Sequence, residues 1–325
     1  MRAVERAGAQ IRATLRRPTV AQQAVTALEA VGAYTLADRV DRLRSDSDLV
    51  PVVVPTGPSA MRSHRFRMYA LDGHDQVARA LRAGGWNGFE APLPSVAVQL
   101  VRRWPTTMLD VGANTGLYSL IATTAHPRAR AVAYEPVPEI ADLLRANVAI
   151  NRRVGRITVR EIAVGERTGP AELHLPPAQP DGTVETSASL EPGFKELIER
   201  VVPVAASTLD DAWVTEGRPE VSLVKVDVEG AEHRVLAGAG SLIAAQRPVL
   251  TIEVLTDANL EDIDGFRQAC DYVDVTLSPT EVVVNRPSVR PDPQAPNHLL
   301  VPRERLADVV VELRGIPRLT VTLLD

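Results

Sequence analysis

Apolar positions along this chain fall into two rhythms. From Thr107 to Cys270, short apolar runs alternate with longer stretches whose apolar residues recur every three or four positions. Thr107–Val111, Ala131–Glu135, Ile157–Ala163, Val221–Asp227 and Val249–Leu255 read as strands. Leu117–Thr124, Glu139–Ile150, Ala231–Leu236 and Leu260–Cys270 read as helices. Strand and helix in alternation predict a parallel sheet with helices on both faces. Gly165–Val204 breaks the rhythm. It carries Pro170, Pro176, Pro177, Pro180, Pro192 and Pro203, a Ser/Thr-rich piece around Thr183–Ser189, and only short strand signals. That composition predicts an excursion over the top of the sheet. Beyond Cys270, β-rich runs at Val273–Leu277, Glu281–Val284, His298–Val301 and Leu319–Leu323 predict antiparallel strands at the sheet edge.

The first ninety residues follow a different pattern. Residues 1–45 read as helical, with Val25, Leu28, Val31, Leu36 and Val40 spaced three to five apart among arginines. Val50–Val54 and His64–Ala70 read as strands, and Gln76–Arg82 as a helix. A glycine-flanked segment, Gly84–Glu90, carries Trp86 and Phe89. Packing the extension onto the sheet is favoured for this pair over a lid. Pro92–Arg103 reads as a helix leading into the Thr107 strand. The chain therefore divides into a helical or mixed extension, residues 1–90, suited to substrate or subunit contacts, and a main domain, residues 91–325.

Composition narrows the class. The 325 residues are 45% hydrophobic with a mean hydropathy of -0.03, which suits a globular protein with a sizeable core. Aromatics are only 4%, so aliphatic side chains must do most of the packing. A net charge of -5 argues against nucleic acid as the main partner. The one cysteine, Cys270, cannot form an internal disulfide or build a zinc site. No apolar run reaches membrane-spanning length. The basic N-terminus lacks the apolar region of a secretory signal, and a surface helix explains it better than a transit peptide. These features predict a cytoplasmic protein with neither nucleic acid nor membrane as partner. A homo-oligomer is compatible with them.

The candidate chemistry lies in Met108–Leu120, MLDVGANTGLYSL. An apolar strand ends in Asp110, a turn follows with Gly112, Asn114 and Gly116, and a helix begins. Such a turn brings backbone N–H groups close to a ligand, and glycine removes the Cβ that would block the approach. Glu135 ends the second strand nineteen residues after Gly116, where an acid accepts the hydroxyls of a ribose. This distance suits a nicotinamide cofactor or S-adenosylmethionine. The turn lacks G-x-G-x-x-G, and a carboxylate at Asp110 would repel a pyrophosphate but attract the ammonium of a methionine tail. The sulfonium cofactor is therefore favoured.

DVGANTGLYS, YEPVPE, the asparagines Asn147 and Asn151, STLDD, LVKVDVEGAE and TIEV stand in that order. In them the chain resembles the FkbM-type S-adenosylmethionine-dependent methyltransferases over roughly residues 90 to 260. The resemblance implies a class I methyltransferase, Rossmann-like α/β fold: a seven-stranded, mostly parallel sheet with a reversed hairpin at its edge and helices on both faces, here with a helical N-terminal extension. It implies methyl transfer, usually to a hydroxyl of a sugar, polyketide or other natural product, with a small-molecule or glycan acceptor as partner. The first cofactor motif maps onto Asp110, Gly112, Asn114 and Gly116, joined by Tyr118. Glu135 with Pro136 is the ribose side, and Ile162 and Ala163 end the third strand, where adenine lies in this fold. Asp227, Glu229, Gly230 and Glu232 carry the DVEGAE signature, with His233 where the family often has an apolar residue.

Asp227 stands at a strand end and is the first candidate base, and it also counts among the cofactor contacts. Glu229 and Glu253 complete the catalytic candidates. Lys225 shares Asp227's strand face and is placed to pair with it. Glu161 either touches adenine or is solvated. His298 is read at the sheet edge, and His233 at the surface. Magnesium on Asp227, Glu253 and Asn297 would suit hard oxygen ligands, but the spacing gives it no support, so no metal is expected. The rival readings are a nicotinamide-dependent oxidoreductase and a non-catalytic cofactor-binding or scaffold protein of the same fold.

Overall fold

The computed structural model describes residues 48–55, 64–177, 187–192, 194 and 198–324. The expected helical reading of residues 1–45 and most of the Ser/Thr-rich piece lie outside the described residues.

Strand β1 (Leu49–Val54) pairs antiparallel with β2 (His64–Tyr69). Alternation turns Val50, Val52 and Val54 inward, as a half-buried strand requires. Helix α1 (Gln76–Gly84) is capped by Asp75, whose carboxylate accepts from the Ala78 N–H. Helix α2 (Leu93–Arg103) follows.

Then come β3 (Thr107–Val111), α3 (Leu117–Ala125), β4 (Arg130–Tyr134), α4 (Pro138–Ile150) and β5 (Ile157–Arg160). The next elements are β6 (Ala163–Gly165), β7 (Gly169–Leu175), β8 (Arg200–Thr208) and α5 (Leu209–Thr215). The chain continues through β9 (Val221–Val226), α6 (Glu232–Ala237), α7 (Gly240–Gln246), β10 (Val249–Glu253) and α8 (Leu260–Ala269). It closes with β11 (Tyr272–Leu277), β12 (Glu281–Val284), β13 (Asn297–Pro302), α9 (Leu306–Arg314) and β14 (Thr320–Leu323).

The main sheet runs β14-β12-β11-β13-β10-β9-β3-β4-β5. Strands β5, β4, β3, β9 and β10 are mutually parallel. All of β3 and β9 is buried, because helices cover both faces. Leu109, Val111, Val224 and Val226 face α5, α6, α7 and α8. Met108 and Leu223 face α2, α3 and α9 on the other side. The chain leaves β3 toward β4 and later returns on its other flank as β9. That reversal opens a crevice at the strands' carboxyl ends.

Three expectations are corrected. The sheet has nine strands among the described residues, not seven, because β12 and β14 extend its edge. The reversed strand is internal: β13 lies antiparallel between β10 and β11. His298 is therefore fully buried inside the sheet, its Nδ1 2.8 Å from Asp274 Oδ1, not presented at an edge. The run Ile157–Ala163 is also not one strand. It breaks at Glu161–Ile162 into β5 and β6, which belong to different sheets.

The proline-rich excursion holds more order than its composition suggests. β7 and β8 pair along their whole lengths, Gly169↔Ala206 to Leu175↔Arg200, and β6 adds to β8. Pro170 is accommodated because β7 is an edge strand, where a missing N–H leaves no internal bond unmade.

The described part of the extension shares the main core. Val50, Val52, Phe66 and Met68 join the same apolar cluster as Leu117, Leu120 and Ile121 of α3. Asn147 and Asn151 explain their place in the motif series. Asn147 Oδ1 accepts from the Tyr69 N–H while its amide donates to Thr115 O. Asn151 accepts from the Arg67 N–H and donates to Arg67 O. Helix α4 thus clamps β2 by satisfying its free edge.

Candidate active site

The turn after β3 is held open by glycine. Gly112 has φ +70°, and a Cβ there would lie 1.8 Å from the Asp227 carbonyl oxygen. Asn114 also adopts a positive φ, 50°. Its side chain satisfies the next residue by accepting from the Thr115 N–H. Gly116, at φ +93°, caps α3 against Leu144. Glu135 buttresses the turn: Oε2 accepts from the Asn114 N–H at 2.9 Å and Oε1 from the Val137 N–H at 3.0 Å.

Asp110 is placed differently from the expectation. Its side chain is 0% exposed. Oδ2 accepts from the Ser119 N–H and hydroxyl, and Oδ1 has no hydrogen-bond partner. Asp110 lies under the turn and anchors α3, so direct contact with a ligand ammonium is not what its geometry offers.

Two cavities meet above the turn. The first is walled by Gly112, Asn114, Glu135, Pro136, Ile162, Ala163 and Asp227, the predicted cofactor residues, together with Val164, Leu173, Ala188 and Leu190. The second is walled by Tyr118, Lys225, Asp227, Glu229 and Glu253, with Gln76, Val77, Phe89 and Glu90 from upstream of β3. Asn114, Asp227 and Glu229 line both and form the junction. All three catalytic candidates therefore face the second cavity, and Asp227 and Glu229 face both. Gly116 lines neither. Glu161 is outside, paired with Arg145 at 2.9 Å.

Charges here are densely coupled. Lys225 Nζ is 2.9 Å from Asp227 Oδ2 and lies 5.2 Å from the Tyr118 ring centroid. Burial pulls this ammonium down, but Asp227, Asp110 and Glu90 outweigh it and hold it above the usual lysine range. Burial pushes Glu135 up to about 7, against the two N–H groups that bind it. Glu90 is pushed up to about 7 by burial and by Asp227. Burial and then the neighbours Asp227, Glu229, Glu232 and Glu90 push Glu253 up to about 9. Glu232 is buried under its own turn, where Oε1 accepts from the Val228 and Gly230 N–H groups, and burial raises it to about 7. Among the described residues no group of three or more His, Cys, Asp or Glu is arranged to hold a metal ion.

These shifts fix a pH dependence. A carboxyl whose folded pKa is raised favours the folded state while protonated. Its contribution is complete below the unfolded value near 4.5 and is lost as pH rises through 7 for Glu90, Glu135 and Glu232. Lys225 titrates well above this window. The melting temperature of the ligand-free protein is expected to fall between pH 5 and pH 8. Thermal melts across that range check it, and a rise would contradict the assignments.

Several site residues escape sequence reading. Leu173, Ala188 and Leu190 reach the first cavity only because the excursion folds back, with Ser189 Oγ donating to Val228 O and a β-bridge joining His174 to Ser189. Glu90 arrives from the glycine-flanked segment. Its one sequence signal is an acid beside Phe89 and two residues before Pro92. Trp86 packs against the core and donates to Ser95 Oγ, as expected of a packing residue, while Phe89 also reaches the second cavity.

A reversal-point crevice with a glycine turn, an acid following β4 and an acid following β9 defines an α/β protein with an open cleft at the carboxyl ends of its parallel strands. A family model described as the methyltransferase FkbM domain matches residues 110–273, just over half of the chain. The chain belongs to that family.

Three curated relatives are each 28% identical to it. They are the methyltransferase sdnD of Sordaria araneosa over 153 residues, the 31-O-demethyl-FK506 methyltransferase FkbM of Streptomyces tacrolimicus over 183 residues and the 2-O-methyltransferase NoeI of Sinorhizobium fredii over 165 residues. The matches cover 40%, 49% and 47% of this chain and 59%, 66% and 65% of the respective relatives. Among the described residues no helix is long and apolar enough to cross a membrane.

Proposed function

We propose that the protein is an S-adenosylmethionine-dependent O-methyltransferase acting on a hydroxyl of a small-molecule natural product or sugar in the cytoplasm. The observation that carries this is the junction of the two cavities at Asp227. One side is walled by the ribose-type acid Glu135 and by apolar residues, and the other by carboxylates. Two relatives bear names of O-methyl chemistry, which supports oxygen as the acceptor atom.

The residues present fit the cofactor. Glu135 uses one lone pair on each oxygen for the backbone, which leaves acceptor capacity for ribose hydroxyls. Ile162, Ala163, Val164 and Leu173 offer an apolar slot for adenine. Bare Gly112 keeps the cleft floor clear. Bound there, the cofactor supplies an electrophilic methyl group on a good leaving group. The protein's part is alignment, which can lower a barrier by several kcal/mol, and proton removal from the acceptor hydroxyl. Asp227 performs the second task. Lys225 pairs with it, and Asp227 lines both cavities.

Calorimetry with S-adenosylmethionine and with NAD tests the reading. Binding of the first is expected, and binding of NAD alone would overturn it in favour of an oxidoreductase. Cofactor binding without methyl transfer to any hydroxyl in a panel of sugars and polyols would favour a scaffold. Glu135→Ala is expected to weaken S-adenosylhomocysteine binding about ten- to a hundred-fold, the loss of charge-assisted hydrogen bonds. Unchanged affinity would remove Glu135 from the ribose role.

A further inference from the structure

Glu90 occupies a position that the cofactor motifs do not account for. It lies twenty residues upstream of the first residue matched by the family model, yet its carboxylate reaches the cavity beside α3. The backbone holds it there in a left-handed conformation, φ 49°, which a non-glycine residue adopts only when its surroundings fix it. Its carbonyl accepts from the Leu93 N–H at 2.8 Å, tying it to the start of α2. Tyr118 OH donates to Oε2 at 2.5 Å. Tyr118 is fixed in turn by α3 and by the Lys225 ammonium over its ring.

Glu90 stands apart among the charges of the second cavity. Among the described residues the walls carry Glu90, Asp227, Glu229 and Glu253 but, of cations, Lys225 alone. Lys225 is in contact with Asp227. Glu253 is crowded by the other carboxylates. Among the described residues Glu90 has a neutral phenol as its hydrogen-bond partner on Oε2, no ion pair within contact distance and no hydrogen bond to Oε1, though it feels the Lys225 charge. It is an oriented carboxylate whose second oxygen accepts nothing from the described residues, in a cavity whose described walls hold more acids than cations. Such a group has strong affinity for an ammonium, because a charge-assisted hydrogen bond is roughly twice as strong as a neutral one.

The ligand that brings an ammonium here follows from the cleft itself. A nucleoside with its ribose on Glu135 would occupy the first cavity. A substituent on its 5′ carbon would then pass the shared wall at Asn114 and Asp227 into the cavity that Glu90 and Tyr118 line. Resting on the cofactor reading above, we infer that Glu90, positioned by Tyr118, binds the α-ammonium of the cofactor's amino-acid tail. The segment before the family-matched region thus completes the cofactor site.

The test compares two nucleosides that differ in that tail: S-adenosylhomocysteine, which has it, and 5′-methylthioadenosine, which lacks it. Calorimetry on the full chain should show Glu90→Gln weakening S-adenosylhomocysteine about ten- to a hundred-fold while leaving methylthioadenosine affinity unchanged. Tyr118→Phe, which leaves the carboxylate but frees it to rotate, should give a smaller loss with the same selectivity for the tail. Equal loss for both nucleosides, or no loss for either, overturns the assignment. Should the wild-type chain bind neither nucleoside, the cofactor reading itself fails. Should it bind both and Glu90→Gln bind both equally well, only the role of Glu90 fails. Retained methylthioadenosine binding also certifies that the variant is folded.

Discussion

Gly112→Ala is expected to give a chain that no longer binds the cofactor measurably and that melts well below the wild type. Two costs act together. A Cβ at φ +70° carries about 1–2 kcal/mol of left-handed strain. The same Cβ would also sit 1.8 Å from the Asp227 carbonyl oxygen, and backbone cannot rotate away as a side chain can. Relief requires the ends of β3 and β9 to separate. That breaks the bond from the Asp227 N–H to Val111 O and widens the junction between the cavities. The combined loss is expected to exceed about 3 kcal/mol. Gly116→Ala provides the contrast. Its Cβ meets the branched end of Leu144 at 3.0 Å, which can shift, so it should be destabilised less and keep weak binding. Thermal melts and S-adenosylhomocysteine calorimetry on both variants check the order. Gly112→Ala with wild-type affinity would show that the turn does not form the cleft floor.

Asp227→Asn is expected to lower kcat about 10²- to 10⁴-fold, the range of a positioned general base, while changing S-adenosylhomocysteine affinity less than about tenfold. The amide keeps the size of the carboxylate and can still accept from Lys225, but it cannot take a proton at neutral pH. The fold should survive, because Asp110, opposite Lys225 across β3 and β9, and Glu90 still offset the buried ammonium. The measurement is S-adenosylhomocysteine release with a hydroxyl acceptor that turns over in the panel. A variant with unchanged kcat would exclude Asp227 as base and direct attention to Glu229 and Glu253 on the same cavity.

Legibility varied with how local the physics was. Strands β3, β4, β9 and β10 were readable because burial on both faces demands near-continuous apolar runs. The internal position of β13 was not. His298–Val301 has the same pattern at an edge or between two strands, and only pairing with β10 and β11 distinguishes them. The β7–β8 pairing was obscured by prolines, whose turn signal outweighs short strand signals in sequence. Asp110 and Glu90 changed places as ligand candidates for the same reason: an acid's residue type does not say whether its carboxylate meets Ser119 in the core or opens into a cavity.

By itself, then, the sequence determined the local chemistry of the cleft. Glycine at 112 follows from a positive φ and a close backbone. Glu135 and Asp227 follow from strand ends, which in a parallel sheet all emerge along one rim. Tertiary structure decided which of the acids on that rim face open space. It turned Asp110 beneath the turn against α3, kept Glu135 in the wall of the first cavity while it braces the turn and brought Glu90 in on a segment packed beside Tyr118. Those outcomes depend on strand register and on contacts between residues far apart in the chain, where burial and pairing with distant groups outweigh the preferences of neighbouring residues.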